Sequence, residues 1–159
     1  MRNKFINLKR MIRYHVKSFN ELTTEELYDV LKLRSEVFVV EQNCIYQDMD
    51  DKDLLCYHVL GKRPNSELLS YARIVPPKVS YTEPSIGRVL VRMSHRKGGA
   101  GYELMRFTLN ETKRLFPDFP IKISAQAYLE SFYHSLGFTS LNDHYLEDGI
   151  PHLAMIWQH

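Results

Sequence analysis

The chain has 159 residues, 44% of them apolar and 12% aromatic, enough to bury the core of one compact domain spanning residues 1–159. Its 21 basic and 19 acidic residues leave a formal charge of only +2, so the totals speak against a nucleic-acid or anionic-membrane partner.

At the N-terminus, Met1 to Arg13 sets Lys4, Lys9, Arg10 and Arg13 among isolated apolar residues without a continuous apolar run. This argues against a signal peptide or membrane span and for a cytoplasmic protein. Ile12, Tyr14 and Val16 then alternate with Arg13, His15 and Lys17, the period of a half-buried strand. Thr23 and Glu26 form a capping box, and Leu27, Val30, Leu31, Arg34 and Phe38 recur at helical spacing, predicting an amphipathic helix to about Val37. Cys44 and Cys56 have neither CxxC nor zinc-finger spacing and read as free thiols. Tyr57 to Gly61 and Leu68 to Val75 read as a strand pair joined through Pro64 and Asn65, ended by Pro76-Pro77, and Ile86 to Val91 as a further strand.

A helix from Tyr102 to Phe116, with a modest apolar face, precedes a strand at Ile121 to Ala127 and a short helix from Leu129 to Leu136 capped by Gly137. From Phe138 the chain predicts a closing antiparallel pair turned at Asp148-Gly149. The class is therefore mixed α/β, with a right-handed crossover from Ile86 to Ala127. No internal repeat or linker interrupts it.

Arg96-Lys97-Gly98-Gly99-Ala100-Gly101 lies between strand and helix. Glycines there let the backbone approach an oxyanion, and the first amides of the following helix lack internal acceptors, so the turn suits a pyrophosphate. A Walker A run is absent, and Gly99-Ala100-Gly101 supplies only a fragment of a dinucleotide fingerprint. Arg88, Arg92, Arg96 and Lys97 crowd the region, either to match phosphate oxygens or as a solvated basic surface.

These residues resemble the GCN5-related N-acetyltransferases (GNAT), and within them the ElaA-like subgroup. The likeness rests on Val37 to Gln42, Gly87 to Val91, the loop Arg96 to Gly101, Ala125-Gln126-Ala127, Phe132-Tyr133, Gly137-Phe138 and Asp148 to His152. It implies a mostly antiparallel twisted sheet in which one parallel pair splays apart, with acetyl-CoA as co-substrate in the gap. By that likeness Val89, Leu90 and Val91 meet the pantetheine, Val89 and Val91 through their main chains. Arg96, Lys97, Gly98, Gly99, Ala100 and Gly101 wrap the pyrophosphate, and Gln126 and Tyr133 also lie on the cofactor. Many members carry Pro three positions before the motif Arg, where this chain has Met93.

Acetyl transfer to an amine requires a donor for the developing oxyanion, a proton for the departing sulfur and a neutral nitrogen. Tyr133 is the candidate proton source, its alternative being a tyrosine that packs the helix on the sheet. Glu41 is the leading base candidate, with an ion pair to an arginine as its alternative. His58 is a weaker candidate, and His152 a further base or relay, each equally readable as a hydrogen-bonded structural histidine. Asp48, Asp50, Asp51 and Asp53 fail the EF-hand pattern, since Lys52 and Asp53 stand where a ligand and glycine belong, so no metal is expected and a solvated acidic loop is. Beside the acyl end such a loop would draw in a cationic amine. Six tyrosines, Tyr46, Tyr57, Tyr71, Tyr81, Tyr128 and Tyr145, read as acceptor-pocket or core residues. The expected activity is direct acetyl transfer in a ternary complex; a non-catalytic acyl-CoA sensor and an unrelated nucleotide-phosphate binder are the alternatives. Small amines, polyamines, antibiotics and protein N-termini or lysines all fit as acceptor, and a homodimer is compatible with the sequence.

Overall fold

The computed structural model describes residues 11–158; most of the N-terminal stretch read for targeting signals lies outside them. Seven strands form one sheet in the order β1-β2-β3-β4-β5-β7-β6, comprising β1 (Arg13–Ser18), β2 (Tyr57–Lys62), β3 (Leu68–Val75), β4 (Ser85–Val91), β5 (Ile121–Gln126), β6 (Thr139–Glu147) and β7 (Ile150–Trp157). Every neighbouring pair is antiparallel except β4 and β5, which are parallel. All eight residues of β3 are buried, because helices cover both of its faces.

On one face lies α1 (Thr24–Arg34), started by the capping box: the Thr23 hydroxyl accepts from Glu26 N–H at 3.1 Å and the Glu26 carboxylate accepts from Thr23 N–H at 3.0 Å. Glu26 also binds Lys17 of β1 and Lys62 of β2, both at 2.8 Å, so the cap fastens the helix to the sheet edge. Val30, Leu33 and Val37 bury against Leu60, Tyr71 and Leu90, worth about 1.5–3 kcal/mol per side chain. The helical path does not stop at Val37: it widens into π-type turns over Ser35–Glu41, carrying Glu41 to the sheet's far end.

On the other face, α2 (Ala100–Leu115) begins two residues before Tyr102 and buries Leu104, Met105, Thr108, Leu109 and Thr112. Its buried face is broader than the apolar periodicity predicts. Thr108 and Thr112 enter the core because their hydroxyls donate to the carbonyls of Leu104 and Thr108 at 2.8 and 2.7 Å. A single turn of 3₁₀ helix leads from β5 into α3 (Glu130–Ser135), and Gly137, at φ 94°, reverses the chain into β6. Asp148 and Gly149, at φ 50° and 77°, make the two-residue turn between β6 and β7.

Two features open the sheet at its centre. The parallel strands β4 and β5 pair only at Ser85 and Lys122, and beyond that point every β5 partner lies on β7. A bulge at Arg88, with φ 50°, inserts an extra residue opposite Tyr71 to Arg73. It switches the strand's phase, so that Ile86 before it and Val89 and Val91 after it all face α2, while Leu90 faces α1. The gap widens toward the C-terminal ends of both strands. No helix among the described residues is long and apolar enough to cross a membrane, and both cysteines are free.

Candidate active site

At the wide end of this gap the chain turns from β4 into α2. None of the backbone amides of residues 97–102 makes a hydrogen bond of standard geometry to another described residue; the first internal amide is that of Glu103, to Gly99 at 3.0 Å. Gly98 and Gly99 hold φ values of +103° and +86°, and the space where their Cβ atoms would stand is empty to 4 Å. The turn therefore presents unpaired donors, at the positive end of a sixteen-residue helix, toward open space.

The basic side chains nearby are not free, as a phosphate cluster would need. Arg88 donates to the Asp48 carboxylate at 2.8 Å and Arg92 to Glu36 at 3.3 Å. Arg96 is chelated by both oxygens of Glu41 and donates through Nε to the Val91 carbonyl at 2.8 Å. The donors left open at the turn are the amides and the exposed Lys97.

The acidic run also departs from expectation, for it is not a solvated loop. Asp48 and Asp53 are buried; Asp48 binds Arg34 and Arg88, Asp50 binds Arg73, and Asp53 binds both Arg34 and Arg73, at 2.7–2.8 Å. Burial alone would raise Asp50, but the hydrogen bonds and charge of Arg73, helped by Arg88, bring it down to about 2. Three guanidiniums from α1, β3 and β4 thus meet three carboxylates from one loop, and the network clamps the bulge that splays β4. Among the described residues no His, Cys, Asp and Glu cluster could hold a metal ion.

Tyr133, on α3, packs edge-on to Phe132 and Phe138 against the α2 side of the sheet. Burial pushes its phenol up to about 12, with Tyr128 adding a smaller rise, so it is a protonated group at neutral pH. The hydroxyl has no hydrogen-bond partner among the described residues and is not sealed from solvent. Gln126 closes β5 and donates to Gln42 at 3.4 Å. Leu90 is buried under α1, away from the gap, while Val89 is only half-buried beside it.

Glu41 and His58 stand differently. Both Glu41 oxygens are engaged by Arg96, so accepting a proton requires that pair to open. His58 lies 1% exposed beneath α1, donating from Nε2 to the Asp53 carbonyl at 3.0 Å and accepting at Nδ1 from the Tyr71 hydroxyl at 2.7 Å. Both nitrogens are spent inside the core, and burial lowers its pKa, which fits a neutral structural imidazole rather than a base.

Sequence reasoning named Tyr145 and His152 singly but not the polar cluster they form with Ser124 and Glu147 on β5, β6 and β7. Ser124 donates to Glu147 at 2.9 Å and accepts from the Tyr145 hydroxyl, and Tyr145 stacks on His152. These residues lie up to 28 positions apart (124 to 152) and only strand register unites them.

A parallel strand pair that parts beside an amide-lined turn, inside an otherwise antiparallel sheet, is the GNAT architecture. The chain belongs to that family: the acetyltransferase (GNAT) domain matches residues 20–159. It is 44% identical over 147 residues to ElaA of Escherichia coli, covering 91% of this chain and 95% of that protein. A UPF0039 protein of Synechocystis is 40% identical over 147 residues, covering 92% of this chain and 96% of its own. Among solved structures, an acyl-CoA N-acyltransferase from Pseudomonas aeruginosa superposes with a TM-score of 0.88 at 39% identity, covering 93% of this chain and 100% of that one.

Proposed function

We propose that the chain is a single-domain, cytoplasmic N-acetyltransferase that moves the acetyl group of acetyl-CoA directly to a primary amine in a ternary complex. The observation that carries this is the turn at residues 97–102, whose amides find no acceptor among the described residues and open onto the gap between β4 and β5. A diphosphate supplies the missing acceptors, and the pantetheine then runs along the unpaired edge of β4 at Val89 and Val91, placing its thioester between the parted strands. Arg96 is fixed by Glu41 and Val91, so it shapes the turn while Lys97 stands exposed beside it.

The amine nitrogen attacks the thioester carbon and the sulfur departs with the bonding pair. Tyr133, protonated and with no hydrogen-bond partner among the described residues, gives that sulfur its proton. Thiol release from acetyl-CoA, followed with a panel of amines for the intact chain and for Tyr133→Phe, tests the assignment. The expected result is turnover by the intact chain and a roughly 100-fold fall in Tyr133→Phe with acetyl-CoA affinity retained. Binding of acetyl-CoA without turnover on any amine would instead make the chain an acyl-CoA sensor.

A further inference from the structure

We propose that His152 is the general base that takes the proton from the incoming amine, with Glu147 steadying the imidazolium and Tyr145 fixing the ring. The inference rests on the transferase assignment above and names a residue for its unfilled role.

The sheet separates the two proton transfers. Ile123, Ala125, Leu153 and Met155 face α2 and α3 together with Tyr133. Alternation therefore turns Ser124, Gln126 and His152 to the opposite face, which α1 leaves uncovered, since its cluster reaches only β2, β3 and β4. His152 pairs in register with Gln126, the last residue of β5 before the strand leaves the gap. Through that gap a thioester would meet Tyr133 from one face of the sheet and an amine from the other.

The ring is prepared for this task. Nδ1 lies 2.7 Å from the Ile150 carbonyl, which can only accept, so Nδ1 carries the hydrogen and Nε2 holds the lone pair. Nε2 makes no hydrogen bond to a described residue and is not sealed from solvent, and the Glu147 carboxylate lies 3.8 Å away, close enough to stabilise the ring once it is charged. Tyr145 stacks on the ring with 16° between planes, while its hydroxyl is tied to Ser124. The other candidates are engaged: Glu41 is chelated by Arg96, and His58 uses both nitrogens.

The protons balance. An ammonium gives one proton to Nε2, the freed pair forms the C–N bond, the C–S bond breaks with its pair on sulfur, and the thiolate takes the Tyr133 proton. The second proton shed by nitrogen restores Tyr133, and His152 discharges to solvent.

The measurement is thiol release from acetyl-CoA with two acceptors, a lysine-type amine and an α-amine, by the intact chain and His152→Gln. The lysine-type amine is neutral at pH 7 in about one part in a few thousand and the α-amine in roughly one in seven, so loss of a base weighs more on the first. Expected is a fall of about 100-fold in kcat/KM for the lysine-type amine, a fall several-fold smaller for the α-amine, an unchanged KM for acetyl-CoA, and partial rescue by added imidazole. Undiminished turnover, or equal losses on both amines without rescue, overturns the assignment. Should His152→Gln fail to fold, Glu147→Gln alters an exposed side chain and is expected to lower only the lysine-type reaction several-fold; no change there overturns it equally. Absence of thiol release from the intact chain with every amine overturns the transferase assignment itself.

Discussion

Gly99 and Gly101 sit two residues apart in the same turn and face opposite demands. Gly99 holds φ +86° with nothing within 4 Å of its absent Cβ, whereas Gly101 lies inside α2 and a Cβ there would meet Phe132 at 3.8 Å, an ordinary contact. Gly99→Ala therefore costs stability through backbone conformation alone, about 1–2 kcal/mol, and its methyl enters the space before the free amides. Gly101→Ala gains the helix preference of alanine, about 0.5–1 kcal/mol. Melting curves with acetyl-CoA calorimetry check the contrast: Gly99→Ala melts roughly 4 °C lower and binds acetyl-CoA at least about tenfold more weakly, whereas Gly101→Ala melts about 2 °C higher. The glycine turn was readable in sequence because its requirements are local; φ signs and free amides depend on neighbours along the chain. His152 was readable only as one histidine among several, since its tautomer depends on Ile150 and its setting on strands β5 and β6.

Among the elements, the sequence located each strand and α-helix of the described residues, but not the 3₁₀ turns at Phe19–Glu21, Lys52–Leu55 and Met93–His95 or the π-type turns over Ser35–Glu41. Thr23 and Glu26 gave the start of α1 because capping is a four-residue event. The acidic run was misjudged for the opposite reason: Asp53 finds Arg34 and Arg73 at separations of 19 and 20 residues, and Asp48 finds Arg88 at 40. Nothing in the run itself marks it as buried. The bulge at Arg88 was equally hidden, since a one-residue phase change inside a short strand resembles noise in the alternation. The network yields a prediction at this scale. Asp53→Asn leaves two buried guanidiniums short of a charge and is expected to cost about 3–5 kcal/mol, lowering Tm by on the order of 10 °C. Glu111→Gln, which breaks the exposed pair with Arg114, is the control and is expected to change stability by less than about 1 kcal/mol. Equal melting shifts in the two variants would show that the buried network holds α1 and β3 no more firmly than an exposed pair would.

Across the whole molecule the same groups set the response to acid, in two stages with different origins. His58 is buried neutral, with its pKa below the ordinary 6.5, burial being the largest cause. A depressed folded value means that the unfolded chain binds a proton first, so stability is complete above pH 6.5 and declines as pH falls below it, by about 1.4 kcal/mol per pH unit for one proton. The carboxylates join later. Glu26 and Asp50 are each raised by burial but brought down further, to about 2, by Lys17 and Lys62 in one case and Arg73 in the other; Asp53 is lowered in the same manner by Arg34 and Arg73. Their contribution is intact above the ordinary values of 4.5 and 3.8 and is lost as pH drops from there toward 2. Urea unfolding at intervals from pH 8 to pH 3 is therefore expected to show a shallow decline from 6.5 and a steeper one below 4.5. In His58→Gln the upper stage disappears while the lower remains, because the Arg–Asp network and the Glu26 cap do not depend on the imidazole's charge. A single transition confined below pH 4.5 in the unsubstituted chain would mean that His58 charges as readily folded as unfolded, and that its two hydrogen bonds do not hold it neutral.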